Sequence, residues 1–236
     1  MKKTTQNRRE GATVPVVPPP VAAIYEALWQ TWGPQHWWPG HTRFEVIVGA
    51  ILTQNTAWSN VEKAIRRLKS ERLLTPGRLH AVPLPELAQR IRPAGYYNVK
   101  ARRLQAFTTL LYARFGGRLD RLFALDSPTL RSVLLSVNGI GPETADSIMC
   151  YADRRPQFVV DAYTRRFLLR HGWITEAADY DTIACLFMER LPPDVQCYNE
   201  YHALIVRLGK TYCRTRPQCV RCPLRPWLRP GDQPPS

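Results

Sequence analysis

The stretch that decides the fold runs from Leu134 to Met149, with the sequence Leu-Leu-Ser-Val-Asn-Gly-Ile-Gly-Pro-Glu-Thr-Ala-Asp-Ser-Ile-Met. Apolar residues recur at helical spacing on both sides of the tetrapeptide 138–141, which predicts two short helices joined by a tight turn. Gly139 and Gly141 allow backbone conformations that other residues avoid, and they let a second backbone approach closely. Pro142 fits the first position of the second helix, where its missing N–H costs nothing. We therefore expect a helical hairpin here.

The charge of the chain points to a polyanionic partner. Lys and Arg number 33 against 19 Asp and Glu, which gives a formal net charge of +14 over 236 residues. This surplus favours a nucleic acid, because lysine and arginine bind phosphates and release counterions, although acidic proteins and membrane surfaces remain alternatives. The N–H groups of Gly139 and Gly141 could hold a phosphate at the start of the second hairpin helix without contacting a base. The alternative is an ordinary helical corner with glycine at its cap.

The periodicity of the rest of the chain is helical. Apolar residues fall at three- and four-residue steps in the ranges 21–32, 44–52, 61–68, 104–115 and 130–137, and helices are also expected over 165–171, 180–190 and 199–212. Gly116 is typical of a helix end, and Ser127-Pro128 is typical of an N-cap followed by a first-turn proline. The sequence contains no convincing alternating pattern of the strand type and no apolar run of the roughly 18–20 residues that a membrane span needs. We predict an all-α protein that resides in the cytoplasm.

A carboxylate follows the hairpin at Asp161. It comes after the apolar triplet 158–160 and before a segment with helical spacing, so spacing alone favours a role in capping that helix. A carboxylate close to a sugar could instead stabilise positive charge that develops during bond cleavage. The hairpin upstream is what brings this second role into consideration.

The hairpin, the Gly/Pro-containing turn and Val160-Asp161 together resemble the helix-hairpin-helix/GPD superfamily of DNA glycosylases. Within it, the chain looks most like the endonuclease III-related group that contains 3-methyladenine DNA glycosylase III, and the resemblance extends from about Val21 to Cys222. It implies a base-excision-repair enzyme that hydrolyses the N-glycosidic bond of a damaged base, with Asp161 as the catalytic carboxylate. Breaking this bond builds positive charge on the deoxyribose, which a carboxylate beside C1′ stabilises while it orients or deprotonates water.

The hairpin departs from the bifunctional members of this superfamily at Glu143. In those enzymes the resemblance implies a lysine at this position, which attacks C1′ and forms the Schiff base that permits strand cleavage. Outside the N-terminal tail the lysines of this chain are Lys63, Lys69, Lys100 and Lys210, so none lies in the hairpin. We therefore expect a monofunctional enzyme that uses water and leaves an abasic site.

Two further segments resemble the loops with which the superfamily opens a duplex and fills the gap left by the base. Gln54, in the segment 51–56, matches the glutamine that enters the vacated stack, and its alternative role is an exposed polar helix end. In the segment 94–101, Tyr96 or Tyr97 would be the wedge and Lys100 would lie near a phosphate, but either tyrosine could equally be a core residue. With the hairpin included, the expected DNA contacts are Gly139, Ile140, Gly141, Thr144, Gln54, Asn55, Tyr96, Tyr97 and Lys100.

The aromatic segment Trp37-Trp38-Pro39-Gly40, followed by Phe44, bears on the substrate. Core filling explains these side chains as well as function does. The alternative is an aromatic box of Trp37, Trp38 and Phe44 that stacks a flipped base and favours a cationic alkylated purine through cation–π attraction. The resemblance to the 3-methyladenine glycosylase group supports the second interpretation.

The C-terminal cysteines Cys213, Cys219 and Cys222 resemble the loop that holds a [4Fe–4S] cluster in endonuclease III. The fourth cysteine expected after Cys222 is missing, and the first spacing is one residue shorter. Three interpretations stay open: a loop without metal, a cluster with an unusual fourth ligand such as Cys197, and a zinc site completed by a histidine such as His202.

The resemblance implies two helical lobes on either side of a DNA-binding cleft. The expected divisions are a disordered basic and Pro-rich tail over 1–20, an N-terminal helix and aromatic loop over 21–40, a six-helix barrel with the hairpin over 41–150, a C-terminal lobe over 151–222 and a tail over 223–236. The expected partner is double-stranded DNA containing a damaged base, bound by a monomer. The alternatives are a pyrimidine-specific glycosylase and lyase like endonuclease III, and a DNA-binding module without catalysis.

Overall fold

The computed structural model describes residues 18–37 and 40–228. Within these ranges the chain forms twelve α-helices and no strand, so the prediction of an all-α protein is confirmed. The predicted tails lie outside the described residues over 1–17 and 229–236, as do Trp38 and Pro39. The helices are α1 Val21–Trp32, α2 Arg43–Thr53, α3 Trp58–Ser70, α4 Pro76–Ala81, α5 Leu84–Arg90, α6 Tyr97–Phe115, α7 Leu119–Phe123, α8 Ser127–Leu135, α9 Pro142–Ser147, α10 Ala162–Arg170, α11 Tyr180–Met188 and α12 Val195–Thr211.

Short polar side chains define where several of these helices begin. Asp126, Asp161, Asp179 and Asp194 each accept a hydrogen bond from the backbone N–H three residues further on, which satisfies one of the N–H groups that a helix start leaves unpaired. The cap of α8 is therefore Asp126, one residue earlier than the Ser127 that the sequence predicted. Each cap fixes the direction in which the chain enters its helix.

One hydrophobic core is formed by α2 to α9. Its buried side chains run from Phe44 to Ala152 and include the fully buried Ile47, Leu104 and Ile148. Because α8 and α9 contribute their apolar faces to this core, the turn between them is directed outward. The turn of the hairpin is thus carried on a packed helical body.

A second core lies around α1, α10, α11 and α12. Phe158 and Phe187 stack at its centre with ring centroids 4.0 Å apart, and Tyr201 meets both rings edge-on. The Tyr201 hydroxyl donates to the Val21 carbonyl at 2.9 Å, which ties α1 to α12. Leu224 is fully buried in this core, so the packed segment extends beyond the end predicted at residue 222.

A buried ion pair links the hairpin to the second core. Asp146 on α9 is fully buried and binds the Arg131 guanidinium through both oxygens, at 2.8 and 3.2 Å. Arg131 also reaches Asp181 on α11 at 2.6 Å, and Gln157 donates to Asp146 at 3.3 Å. Burial raises the pKa of Asp146, while Arg131 opposes this shift. The network therefore joins α8 and α9 of the first core to α11 of the second core.

Close packing of α12 against α10 depends on Gly209. A Cβ at this position would lie 2.1 to 2.8 Å from the Cδ1, Cγ and Cβ atoms of Tyr163, which face it from α10. We expect Gly209→Ala to lower the free energy of unfolding by about 1–3 kcal/mol, because the clash involves atoms near the Tyr163 backbone that cannot rotate away. Urea denaturation measures the effect. Lys210→Ala, at the neighbouring exposed position, is the control, and equal stability of the two variants would contradict the prediction.

Candidate active site

Asp161 lies at the start of α10, with two donors on one carboxylate oxygen and His202 near the other. Oδ1 accepts from the Thr164 backbone N–H at 2.7 Å and from the Thr164 hydroxyl at 2.9 Å. Oδ2 lies 3.5 Å from Nε2 of His202 on α12. The side chain is 11% exposed, so it is nearly buried but still reachable by water. Helix capping and a second function are therefore compatible at this residue, because the cap uses only one oxygen.

His202 connects Asp161 to the hairpin helix. Its Nδ1 is hydrogen-bonded to the hydroxyl of Tyr151, and the two rings are nearly parallel, with centroids 6.1 Å apart. Burial raises the pKa of Tyr151 well above its usual range, so the phenol keeps its proton and donates it. A neutral imidazole that accepts at Nδ1 carries its proton on Nε2, which faces Asp161. Tyr151 therefore fixes the ring of His202, and Nε2 of that ring faces the carboxylate of Asp161.

Tyr151 is brought to this position by a π-helical turn at Ile148–Ala152, directly after α9. Such turns insert an extra residue into a helix and are frequent at functional sites. Tyr151 packs against both hydrophobic cores, so the turn lies where the two cores meet. The hairpin and the carboxylate are therefore linked through a few side chains.

The pKa of Asp161 is lowered despite its burial. Desolvation raises it and is the largest influence, but the hydrogen bond and charge of His202 and the two donors of Thr164 together outweigh that effect. The carboxylate is accordingly ionised at neutral pH. An ionised, nearly buried carboxylate is suited to stabilising a cation that forms beside it.

Glu143 on α9 faces the same region, and its pKa is shifted in the opposite direction to that of Asp161. Desolvation raises its pKa, the charge of Asp161 raises it further, and His202 lowers it. Its side chain is exposed, which places it in the accessible part of the site. Two carboxyl groups with opposite pKa shifts therefore stand near each other.

The aromatic residues predicted for the base pocket lie in different parts of the structure. Trp37 is half-buried, and its ring meets His202 edge-on with centroids 6.0 Å apart, so it lies beside the histidine that faces Asp161. Phe44 is 4% exposed in the first core, which corrects its predicted place in an aromatic box. Trp38 lies outside the described residues. Of the three, Trp37 is the one that the structure brings to the site.

The hairpin turn is built as the glycines predicted. Gly139 has a φ of +88°, and a Cβ there would lie 2.4 Å from Cγ of Arg103. Gly141 has extended backbone and caps α9, and a Cβ on it would meet nothing within 4 Å. The other two predicted contacts are corrected: the side chains of Ile140 and Thr144 are buried, so neither faces a ligand. What the turn offers to a partner is its backbone around Gly141.

Gln54 ends α2 and is bound to the hairpin. Its Nε2 donates to the Gly139 carbonyl at 3.0 Å and to the Thr144 hydroxyl at 2.9 Å, while Arg103 donates to its Oε1. Entry of Gln54 into DNA, as the sequence predicted, would require these bonds to break. The next residue, Asn55, is exposed and has a φ of +52°.

In the second predicted loop, one tyrosine is exposed to solvent and the other packs against the protein. Tyr96 is 71% exposed, whereas Tyr97 packs against the first core. Lys100 is 1% exposed, and its ammonium binds oxygen atoms of the protein, so the predicted position near a phosphate is wrong. Tyr96 is therefore the wedge candidate.

The cysteine loop does not fit a metal centre. Cys213 is buried and its Sγ accepts from Arg170 at 3.3 Å. Burial raises the pKa of Cys222 to about 11 and also raises that of Cys219. Across residues 18–37 and 40–228, no group of three or more His, Cys, Asp or Glu side chains is arranged to hold a metal ion.

The fourth ligands considered from the sequence lie elsewhere. Cys197 is in the first turn of α12 and Cys213 follows its last, a separation of roughly 20 Å or more at 1.5 Å per residue. His202 contacts Asp161 and Tyr151. The loop is instead held by arginines: Arg166 donates to the Cys213 carbonyl at 2.7 Å, and Arg170 donates to the carbonyl of Arg214 at 2.6 Å.

Comparison with known proteins identifies the family. Residues 48–193 match the model of the HhH-GPD superfamily of base excision DNA repair proteins. The chain belongs to this family. The matched range contains the hairpin and Asp161, so the family's defining features coincide with the site described above.

Relatives within the HhH-GPD superfamily span nearly the whole chain. A Methanocaldococcus jannaschii protein, provisionally named a DNA repair glycosylase, is 49% identical over 204 residues, which cover 86% of this chain and 92% of the relative. The crystal structure of H. pylori 3-methyladenine DNA glycosylase bound to 1,N6-ethenoadenine is 29% identical with a TM-score of 0.70 and covers 80% of this chain and 96% of that one. An endonuclease III trapped as a covalent intermediate with DNA is 26% identical with a TM-score of 0.76, over 89% and 94% of the two chains.

Two residues of the site were missed in the sequence. Tyr151 is in an apolar segment and has the pattern of a core residue, and His202 was considered only as a metal ligand. Their roles depend on the π-turn and on the position of His202 in α12, 41 residues beyond Asp161. A local pattern carries no signal for such a contact.

The two hairpin glycines provide a matched pair of variants. We expect Gly139→Ala to destabilise the protein by about 1–2 kcal/mol, because a left-handed backbone is unfavourable for alanine and the Cβ displaces Arg103. Gly141→Ala leaves the melting temperature unchanged, since its Cβ meets only open space, but it weakens binding to duplex DNA by obstructing close approach to the backbone. Thermal melting and fluorescence anisotropy measure the two effects. Unchanged DNA binding by Gly141→Ala would rule out this turn as a phosphate contact.

Proposed function

We propose that this DNA glycosylase of the base excision repair family hydrolyses the N-glycosidic bond of an alkylated purine and leaves the DNA strand intact. The observation that carries the proposal is the nearly buried carboxylate of Asp161, which lies beside His202 and has no lysine at the hairpin position 143; Trp37 meets His202 from another side. Family membership supports the reaction class, while the choice of lesion and the absence of strand cleavage are our inference.

The carboxylate acts on the charge that develops at the sugar. As the bond from C1′ to the base breaks, the electron pair leaves with the base, and the deoxyribose becomes cationic. Asp161 stabilises this cation, because its own charge is fixed by Thr164 and His202 and needs no rearrangement. Water then adds its oxygen to C1′ and gives a proton to Asp161. A cationic purine leaves as a neutral base, so the released proton is the only one that the site must accept.

His202 keeps Asp161 ready for this role. With its proton on Nε2, His202 faces the carboxylate and favours its ionised form. The Tyr151 hydroxyl on Nδ1 favours this tautomer. We therefore assign His202 and Tyr151 as positioning residues for Asp161.

Trp37 supports the choice of a cationic lesion. A positively charged ring is attracted to the face of an indole, and this attraction increases when water is excluded. The H. pylori relative is a 3-methyladenine DNA glycosylase bound to 1,N6-ethenoadenine, which agrees with an alkylated purine. Trp37 is placed beside His202, within the region of Asp161.

The expected absence of lyase chemistry rests on Glu143. A carboxylate cannot form an imine with C1′, and it stands where bifunctional relatives are expected to carry lysine. Within the described residues, Lys69 pairs with Glu45 at 2.6 Å, and Lys100 is buried on protein oxygens. Water is therefore the nucleophile that the proposal requires.

The first test is base release from methylated duplex DNA. We expect the wild-type protein to release free 3-methyladenine and to produce strand breaks only after alkali, and Asp161→Asn to lose release by at least about 100-fold while it still binds DNA. Asparagine keeps an oxygen for the Thr164 N–H, so the cap of α10 survives the exchange. Chromatography of released bases and gel electrophoresis with and without alkali give both results.

Two outcomes would contradict the proposal. Breaks without alkali, together with a borohydride-trapped protein–DNA adduct, would mean that an amine attacks C1′. Release of oxidised pyrimidines with no release of methylated purines would reject the assigned lesion. Glu143→Gln is the matched variant for the first outcome, because it removes a charge but adds no amine.

The pH dependence of base release tests His202. Release requires ionised Asp161, so it is present above the folded-state pKa of this group and is lost as the pH falls through it. His202 is the largest influence that lowers this pKa, and removing it leaves the raising effect of burial. We expect His202→Leu to move the acidic limb of the rate profile to higher pH, while His202→Gln, which retains a donor, stays closer to wild type. Superimposed profiles for all three proteins would show that His202 does not act on Asp161.

A further inference from the structure

Lys100 is a buried cation whose donors are all used within the protein. Its Nζ donates to the carbonyl of Leu52 at 2.8 Å, to the hydroxyl of Thr56 at 2.5 Å and to the carbonyl of Ala94 at 2.7 Å. An ammonium group has three N–H donors, so these three acceptors satisfy it. The side chain starts on α6 and ends between two loops.

The three acceptors belong to the ends of two chain segments. Leu52 is in the last turn of α2, directly before the α2–α3 loop, residues 54–57. Ala94 ends a 3₁₀ turn, directly before Gly95 and Tyr96 in the α5–α6 loop, residues 91–96. Carbonyls at helix ends have no partner within the helix, and a cation is a favourable one. The Thr56 hydroxyl also donates to the Ala94 carbonyl at 2.6 Å, which adds a direct link between the loops.

The tips of both loops hold unusual backbone conformations. Asn55 has a φ of +52° and Tyr96 a φ of +45°, in the left-handed region that residues other than glycine rarely adopt. Both side chains are exposed, and Tyr96 is 71% exposed. Strained backbone persists only where the surroundings fix it, and it clusters at functional sites.

A charge is costly at the position of Lys100. Burial and, to a smaller extent, the charge of Arg103 together lower its pKa to about 8. An apolar side chain of similar length would fill the same space without desolvating a charge. What it would not do is bind the three oxygen atoms of the two loops.

We propose that Lys100 is a positioning residue that locks the α2–α3 loop to the α5–α6 loop, so that Asn55 and Tyr96 enter the gap left by an extruded base as one rigid unit. The inference rests on the proposed function in one respect, since the gap arises when a base is extruded. It does not depend on which base is removed or on whether the strand is cut.

Binding to a duplex with a pre-formed gap tests the inference without requiring catalysis. The probe is a fluorescent duplex carrying a tetrahydrofuran abasic analogue, compared with the same duplex intact, and anisotropy gives the ratio of the two Kd values. We expect wild type to prefer the abasic duplex and Lys100→Met to lose about tenfold of this preference, while its affinity for intact DNA changes little. The hairpin, which contributes phosphate contacts, is unaffected by the exchange.

Thr56 provides a milder pair of variants in case Lys100→Met unfolds. Thr56→Val removes the hydroxyl that joins Lys100 to Ala94 and is expected to lose several-fold of the preference, whereas Thr56→Ser retains it. Lys63→Met, an exposed position on α3, controls for the loss of one positive charge. Circular dichroism and thermal melting confirm that each variant is folded.

The outcomes separate this inference from the proposed function. Wild-type preference for the abasic duplex that is kept by folded Lys100→Met or Thr56→Val would overturn the role of Lys100. A wild-type protein without any preference would overturn the gap-filling role of the two loops. Failure of base release with an intact preference would reject the proposed reaction and leave the inference in place.

Discussion

The ionised carboxylate of Asp161 is the group on which the arrangement of the second core depends. A charge that is nearly removed from water must be hydrogen-bonded, or it is neutralised by a change in pKa. Thr164 supplies two donors from the first turn of α10, and Nε2 of His202 on α12 lies 3.5 Å from the second carboxylate oxygen. These two helices must therefore keep a fixed separation. The close contact of Gly209 with Tyr163 provides it, because no larger residue fits between α10 and α12.

The cysteine loop supports the C-terminal end of α10. Arg166 and Arg170, in the last turns of the helix, bind carbonyls of the loop that follows α12. A helix whose first turn carries the carboxylate is thus anchored at its last turn by arginines. Cation-to-carbonyl bonds at a helix end agree with the direction of the helix dipole. The loop therefore contributes packing and hydrogen bonds that stabilise α10 and, with it, the position of Asp161.

The sequence predicted those parts of the site that depend on local chemistry. Gly139 specifies a turn by its backbone freedom, and Asp161 specifies a helix start, so each was recognisable from its neighbours. Phe44 was misplaced because an aromatic residue on a periodic apolar face is compatible with both a core and a pocket. Tyr151 and His202 were missed for another reason: their contact joins α12 to a π-turn 51 residues earlier. The spacing of residues within one helix cannot predict a contact between residues so far apart in the sequence.

The exchange of lysine for Glu143 alters more than the choice of nucleophile. A lysine ammonium near Asp161 would pair with the carboxylate and leave the region close to neutral. Glu143 instead stands near Asp161 as a second acidic group. Its pKa is raised mainly by burial and, second, by the negative charge of Asp161. A field that disfavours a second negative charge favours a positive one at the same place. In the proposed reaction, the same electrostatic condition would stabilise a cationic base in the ground state and a cationic sugar in the transition state.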